Sequence, residues 1–297
     1  MRKPIPLRSQ HLRLAALYAV LSSLSFAVMG ACVKWSAPQV GANMTVFLRC
    51  VFGLLFLWPF LRKALRSQGW SSLATQDPLG HFWRVLFGLS AMYCFFYALG
   101  HLPLAEAMLL NYTTPIFIPF FAWLWLGEKP PWMIWPAVLI GLVGVALIVK
   151  PSAALLTVNM ASAVGLLSGI LASLAMTSIR KITAHEPSRR VVFWFSVNSV
   201  VVSTITILFD WQTPPWSVVA VMVLGGLAAT LGQLSLTKAY SLASAAHIGA
   251  MTYVVVVFGA LIGWAIWHEA LDRWTLLGGL CVVITAVMAG SARRKAQ

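Results

Sequence analysis

Ten stretches of nearly unbroken apolar sequence, each close to the length of a bilayer-crossing helix, constrain this chain more than any other feature. They cover residues 14–35, 40–61, 82–99, 104–126, 132–149, 161–179, 191–209, 216–236, 243–267 and 274–289. A hydrocarbon core of about 30 Å takes roughly 20 residues of helix. Inside lipid each segment must satisfy its own backbone hydrogen bonds, so every run is expected to be helical. The ten-residue alternation of a membrane barrel strand is missing.

Only 9% of the residues are charged and 60% are hydrophobic, whereas a soluble domain carries about a quarter charged residues. The outside of this chain is therefore expected to face lipid. Its net charge of +14 does not form a nucleic-acid footprint, because the basic residues fall between apolar runs rather than on one face. With the N-terminus inside, seventeen Lys and Arg lie on the cytoplasmic side, among them Arg62, Lys63, Arg66, Arg84, Arg180 and Arg189. Three lie outside, Lys34, Lys150 and Arg273, and Arg49 falls within a span. That bias predicts a multi-pass protein of the bacterial inner membrane with both termini cytoplasmic.

The first apolar run follows basic residues, as in a secretory leader. It is long enough to span and others follow, so it is read as the first membrane helix. Tryptophans at span ends, such as Trp58, Trp83, Trp132, Trp216 and Trp274, suit the headgroup level. Cys32, Cys50, Cys94 and Cys281 lie within apolar runs without CxxC or Cys/His clustering, so no metal and no disulfide framework is expected. No cofactor signature appears. The absence of GxxxxGK[ST] argues against ATP-driven pumping.

An internal repeat emerges when residues 98–128 are laid on 239–269 without gaps. Ala98, Ala105, Tyr112, Phe117, Trp123 and Glu128 then meet Ala239, Ala246, Tyr253, Phe258, Trp264 and Glu269. Each half holds five helices, an odd number, so the second half is expected to enter the membrane upside down. The domain reading is a tail over 1–13, a repeat over 14–150, a linker over 151–157, a second repeat over 158–290 and a basic tail over 291–297.

At this point the chain resembles the drug/metabolite transporter superfamily, in its branch built from two EamA domains. The resemblance rests on Trp83 to Gly88, Ala91-Met92, Phe96 to Leu99, Leu102 to Ala107, Tyr112 to Pro115, and Leu126-Gly127-Glu128. A weaker echo runs from Ala239-Tyr240 to Ala245-Ala246 and His268-Glu269, with Val256 where the mate of Pro115 is expected. The resemblance implies ten transmembrane helices as two inverted five-helix repeats and alternating access. It also implies a cavity lined by the first, third, fourth, sixth, eighth and ninth helices. Members of the superfamily move amino acids, riboflavin, S-adenosylmethionine, carboxylates, choline or drugs.

Several polar residues within spans are candidates for substrate or coupling. Glu106 is an acid inside a span, costly unless it serves a purpose. It is read either as a proton- or cation-binding group or as the ion-pair partner of Lys34. Arg49, near the middle of the second span, is read either as an anion-binding fork or as a tether for helix ends. Repeat symmetry sets His247 opposite Glu106 and Lys181 opposite Lys34, with Lys238 nearby; the lysines are gate residues or simple helix ends. Tyr112 and Tyr253 occupy equivalent places and offer either aromatic faces for a ligand or packing. Asn111, Thr113 and Thr114 flank Tyr112 before Pro115, where a broken helix would form a site. Gln233 and Asn198 are lesser candidates.

The function expected is secondary active transport of a small polar metabolite, proton-coupled or by exchange, with a homodimer compatible with it. A non-transporting scaffold or sensor is the alternative. A membrane-embedded enzyme lacks a cluster of catalytic groups in this sequence.

Overall fold

The computed structural model describes residues 9–101, 104–149, 160–268 and 271–291. The linker over 151–157, most of both tails and the side chain of Glu106 lie outside the described residues. The described chain is a bundle of eleven α-helices and one 3-10 turn, with no strand. Among the described residues eight stretches are long and apolar enough to cross a bilayer, and Ile134–Val149 is a shorter apolar helix. Large apolar side chains such as Leu17, Leu55, Leu124, Val143, Leu208 and Leu276 are exposed around the bundle. In water that would be unfavourable, and in lipid it is the expected outer surface.

Helix α1 runs over Ser9–Gln68 and contains the first two expected spans. It is bent at Gly41, whose φ of 72° and ψ of 172° leave the helical region. Pro38, just before, has no N–H to give the helix, and glycine alone adopts this backbone cheaply. The short 3-10 turn Gly69–Leu73 leads to α2, Pro78–His101. Here the helix begins four residues before the expected boundary. Asp77 is its cap: Asp77 Oδ1 accepts the Gly80 N–H at 2.8 Å, and Pro78 takes the first helical position, where no N–H is needed.

The fourth expected span is two helices, α3 (Leu104–Asn111) and α4 (Thr114–Leu126). Pro115 cannot donate to the turn before it. The Thr113 and Thr114 hydroxyls instead donate to the Leu110 and Asn111 carbonyls, each at 2.6 Å. After α5 (Ile134–Val149), α6 (Met160–Ile182), α7 (Ser188–Ile207) and α8 (Trp216–Leu242), the ninth expected span is broken too. It forms α9 (Ala245–Met251) and α10 (Val254–Trp267). No proline causes this break; the Thr252 hydroxyl donates to the Gly249 carbonyl at 2.7 Å. The chain ends in α11, Arg273–Ser291.

Contacts define two ends of the bundle. At one end, the Glu186 end, Thr75 meets Glu186 and Arg180 joins Glu128 to the α8 terminus. At the other, the Asp210 end, Asn43 donates to Asp210 and Lys34 lies over Trp267. Two equivalent helices stop in the left-handed region at opposite ends: α4 on Gly127 (φ 67°) and α10 on His268 (φ 55°). A histidine there costs about 1–2 kcal/mol that glycine does not incur.

Small residues let the helices touch. A Cβ on Gly226 would meet the Gly53 N and Phe52 C backbone atoms at 2.9 Å, and Thr230 Oγ1 donates to the Gly53 carbonyl at 2.7 Å. Helix α8 is thereby wedged against both arms of α1, with Ser22 of the first arm donating to the Gly232 carbonyl of α8. Gly144 and Gly278 bring α5 and α11 together backbone to backbone.

Candidate functional site

The early start of α2 sets Arg84 deep in the bundle. It stands six residues into the helix and is 2% exposed, whereas the sequence pattern counts it with the loop cations. Its side chain runs up its own helix to Gly88, where any Cβ would collide with the guanidinium. At 1.5 Å per residue that point is about 15 Å along a helix of about 36 Å. The central carbon of the guanidinium lies over the Phe195 ring, 3.9 Å from its centroid. Arg84 Nε has no hydrogen-bond partner among the described residues, and neither has the Tyr240 hydroxyl close by.

Arg49 enters from the second arm of α1. Its Nε approaches the Met29 sulfur at 3.1 Å and its Nη1 the Met92 sulfur at 3.5 Å. A thioether is a weak acceptor, so the guanidinium is poorly satisfied. Met92 stands one turn beyond Gly88 on α2, so the two arginine heads lie about 6 Å apart along that helix. Their charges interact, and no described carboxylate pairs with either. Arg49 and Gln233 line a small cavity of about 30 Å³, with Ser196, Ser199, Thr230 and Cys50. That space holds about two waters. The second arm of α1 thus lines the cavity, which the resemblance does not lead one to expect.

The other predicted residues are dispersed. Asn111 donates to Ser168 Oγ at 3.2 Å, and the Thr114 hydroxyl also reaches the Gly169 carbonyl at 3.1 Å; the α3–α4 break is tied to α6. Tyr112 packs against the main hydrophobic core. Tyr253 is fully buried with its ring against Gly141 of α5 and its hydroxyl without a partner; it does not share the Arg49 cavity. His247 is buried, its Nδ1 sharing a hydrogen bond of 2.5 Å with the Ser244 hydroxyl. Lys34 sits 4.4 Å over Trp267 and Lys181 4.7 Å over Trp125. Lys238 is exposed, and Asn198 donates back to the Trp194 carbonyl of its own helix.

Two polar clusters at the Glu186 end escaped the sequence pattern. Arg180 Nε donates to Glu128 Oε1 at 2.8 Å and its Nη1 to the Tyr240 carbonyl at 3.0 Å. Glu128 Oε2 takes the Ala245 N–H at 3.2 Å. One ion pair thus fastens the ends of α4, α6 and α8 to the start of α9. In the second cluster Glu186, buried, accepts from Thr75 Oγ1 at 2.7 Å and the Gln76 N–H at 2.8 Å, and pairs with His81 Nε2 at 2.9 Å. Burial alone would raise its pKa; the hydrogen bonds from His81, Thr75 and Gln76 outweigh that and hold the carboxyl below its ordinary value. Asp77 is likewise lowered: desolvation opposes, but the Gly80 N–H and His185 prevail. The available sequence signals were the helix cap Asp77-Pro78 and the acid Glu186 before Pro187.

A sequence model of the EamA-like transporter family matches this chain twice, over residues 13–150 and 159–291. The chain belongs to the EamA-like transporter family. It is similar to the pseudopaline exporter CntI of Pseudomonas aeruginosa, 32% identical across 93% of this chain and 95% of that protein. It is also similar to the riboflavin transporter of Vibrio cholerae, 24% identical across 91% and 90% of the two chains. The S-adenosylmethionine uptake transporter of Rickettsia bellii is 25% identical, across 93% of each. A solved crystal structure matches with a TM-score of 0.77 at 19% identity, over 95% of this chain and 96% of that one, and so shares the fold. With its apolar helices, this makes the chain a multi-pass membrane protein of a family of small-molecule transporters.

Proposed function

We propose that this protein is a secondary active transporter that carries a small polar metabolite across the cytoplasmic membrane by alternating access. Its ten transmembrane helices form two inverted five-helix halves, over 14–150 and 158–290, with both termini cytoplasmic. One observation carries the reading. The equivalent α4 and α10 each follow a helix break at a tyrosine (Tyr112, Tyr253), stop on a left-handed residue, and end on opposite sides of the bundle. Each end is also met by a lysine from the first helix of the other half, Lys181 on Trp125 and Lys34 on Trp267. Such cross-half closures at both ends are what two alternating gates require.

The cavity size supports the same reading. A metabolite site takes about 300–1,000 Å³, and the space beside Arg49 is about 30 Å³. The halves must therefore part to admit a solute, and in this conformation Arg180 and Glu128 hold the Glu186 end shut. The named relatives include an exporter and an uptake protein, so direction is left to the gradient. Glu106, on α3, is the group assigned to coupling.

Purified protein in proteoliposomes, preloaded with a metabolite extract and given an inward or outward proton gradient, tests this directly. Mass spectrometry of the lumen should show one class of solute moved, with gradient-driven accumulation lost in Glu106→Gln but exchange retained. Liposomes that move nothing under any gradient would mark a scaffold or sensor instead.

A further inference from the structure

Resting on that reading, we infer that Arg49 and Arg84 form a mid-membrane recognition site for an anionic substrate, and that the group they take is a carboxylate. Arg84 is buried at the level of Gly88, its Nε without a partner among the described residues. Among the described residues Arg49 donates to the thioether sulfurs of Met29 and Met92, which are weak acceptors. The Tyr240 hydroxyl beside Arg84 is also unpartnered. Gln233, Ser196 and Thr230 supply neutral polar atoms around the cavity. No described acid balances the two cations.

A purely structural arginine in a bundle is normally satisfied by a carboxylate or by backbone carbonyls, as Arg180 is by Glu128 and the Tyr240 carbonyl. Arg84 shows the opposite arrangement. Gly88 makes room for its head, its central carbon lies 3.9 Å from the Phe195 ring centroid, and its Nε has no hydrogen-bond partner among the described residues. A guanidinium presents a planar fork that matches a carboxylate with two parallel hydrogen bonds. Two such forks about one helical turn apart can each take one carboxylate of a single compact polycarboxylate. Polycarboxylates should therefore bind more tightly than monocarboxylates, and polyamines should be excluded by like charge.

Thermal unfolding of the purified protein at constant ionic strength, with citrate, succinate, inorganic phosphate or spermidine added, tests the inference. Citrate and succinate are expected to raise the midpoint in a saturable way, and spermidine to leave it unchanged. Arg84→Gln and Arg49→Gln should each weaken citrate by about 10- to 100-fold, the effect of losing a charged hydrogen-bonding partner. Arg84→Gln should also unfold at the same or a higher temperature without ligand, since it removes an unpaired buried charge. Gly88→Ala keeps both charges but fills the place of the Arg84 head, and should lose citrate as well. Equal stabilisation by phosphate, stabilisation by spermidine, no effect of any carboxylate, or full citrate binding in Arg84→Gln would each overturn it. The same protein in liposomes separates this failure from that of the transporter reading. Flux of spermidine without flux of citrate leaves a transporter and removes the anion site; citrate bound but nothing moved leaves the site and removes the transporter.

Discussion

Glu128→Gln isolates the closure at the Glu186 end. The Glu128 and Arg180 side chains are 16% and 6% exposed, so solvent screens the pair little. Gln retains one oxygen for Arg180 Nε, so that hydrogen bond survives without its charge assistance, while the amide nitrogen in the place of Oε2 cannot accept the Ala245 N–H. Charged hydrogen bonds contribute about 1.5–3 kcal/mol and neutral ones about 0.5–1.5; the difference is about 1–2 kcal/mol. If the pair exists only when this end is shut, that amount moves the equilibrium toward the open state by about 5- to 30-fold. Cys50 reports the opening, because it lines the small cavity beside Arg49 and is only 8% exposed. In a protein whose Cys32, Cys94 and Cys281 are replaced by Ser, N-ethylmaleimide should alkylate Cys50 about 5- to 30-fold faster in Glu128→Gln. An unchanged alkylation rate alongside a lowered melting temperature would refute the argument: the pair would then be a strut present in every state.

Other outcomes follow from the geometry. Glu186→Gln should cost about 1–3 kcal/mol, read by thermal unfolding, because it leaves His81, Thr75 and the Gln76 N–H with a neutral partner. The sign of its pH dependence is fixed: the folded carboxyl is lowered, so its stabilisation is complete above the ordinary carboxylate pKa and fades as pH falls through the folded value. Glu186→Gln should therefore flatten the acid limb of a stability–pH curve. Gly144→Leu should separate α5 from α11 and lower the melting temperature, because its Cβ would meet the Gly278 carbonyl at 2.7 Å. Asp77→Ala should cost about 0.5–2 kcal/mol by removing the α2 cap. Single cysteines at Thr75 and at Gln212 should label from opposite sides of intact cells, the first only from the cytoplasm.

The membrane class was legible because hydropathy is a local property: a run of apolar residues reveals a lipid-facing helix without reference to any partner. The break before α4 was legible too, since Asn111 to Pro115 carry both the missing donor and the hydroxyls that replace it. The matching break before α10 was not, because Thr252 performs the same service without a proline. Arg84 was missed for a reason of boundaries. Apolar content begins at Phe82, but the helix begins where Asp77 caps it, and those four residues separate a loop cation from one inside the bundle. Arg180–Glu128 and His81–Glu186 join residues 52 and 105 positions apart, a pairing that no local pattern encodes. Tyr253 shows the converse. Its equivalence with Tyr112 is plain in the repeat, yet the two rings meet different neighbours, since Gly141 opens a slot for Tyr253 in α5.

The cost of the arginines gives the central arrangement its meaning. On insertion scales an arginine at mid-membrane costs about 2.5–3.5 kcal/mol, so two cost about 5–7 kcal/mol. That is comparable to the whole stability of a small domain. Cation–π contact with Phe195 returns about 2 kcal/mol to Arg84 when desolvated, and two methionine sulfurs return less to Arg49. Replacing both arginines with apolar side chains would make a more stable bundle. A pair of cations that no described acid balances is therefore retained in the middle of the bundle against stability, and a ligand that supplies the missing negative charge recovers the deficit only while bound. In a carrier that must cycle, this has a consequence for turnover. The substrate neutralises the site, whereas without it the two like charges, about 6 Å apart along α2, raise the energy of the shut conformation. Coupling between charge neutralisation and closure would make exchange faster than empty return. Proteoliposomes should then show citrate counterflow exceeding net efflux, and a double Arg49→Gln, Arg84→Gln variant should lose that difference along with citrate affinity.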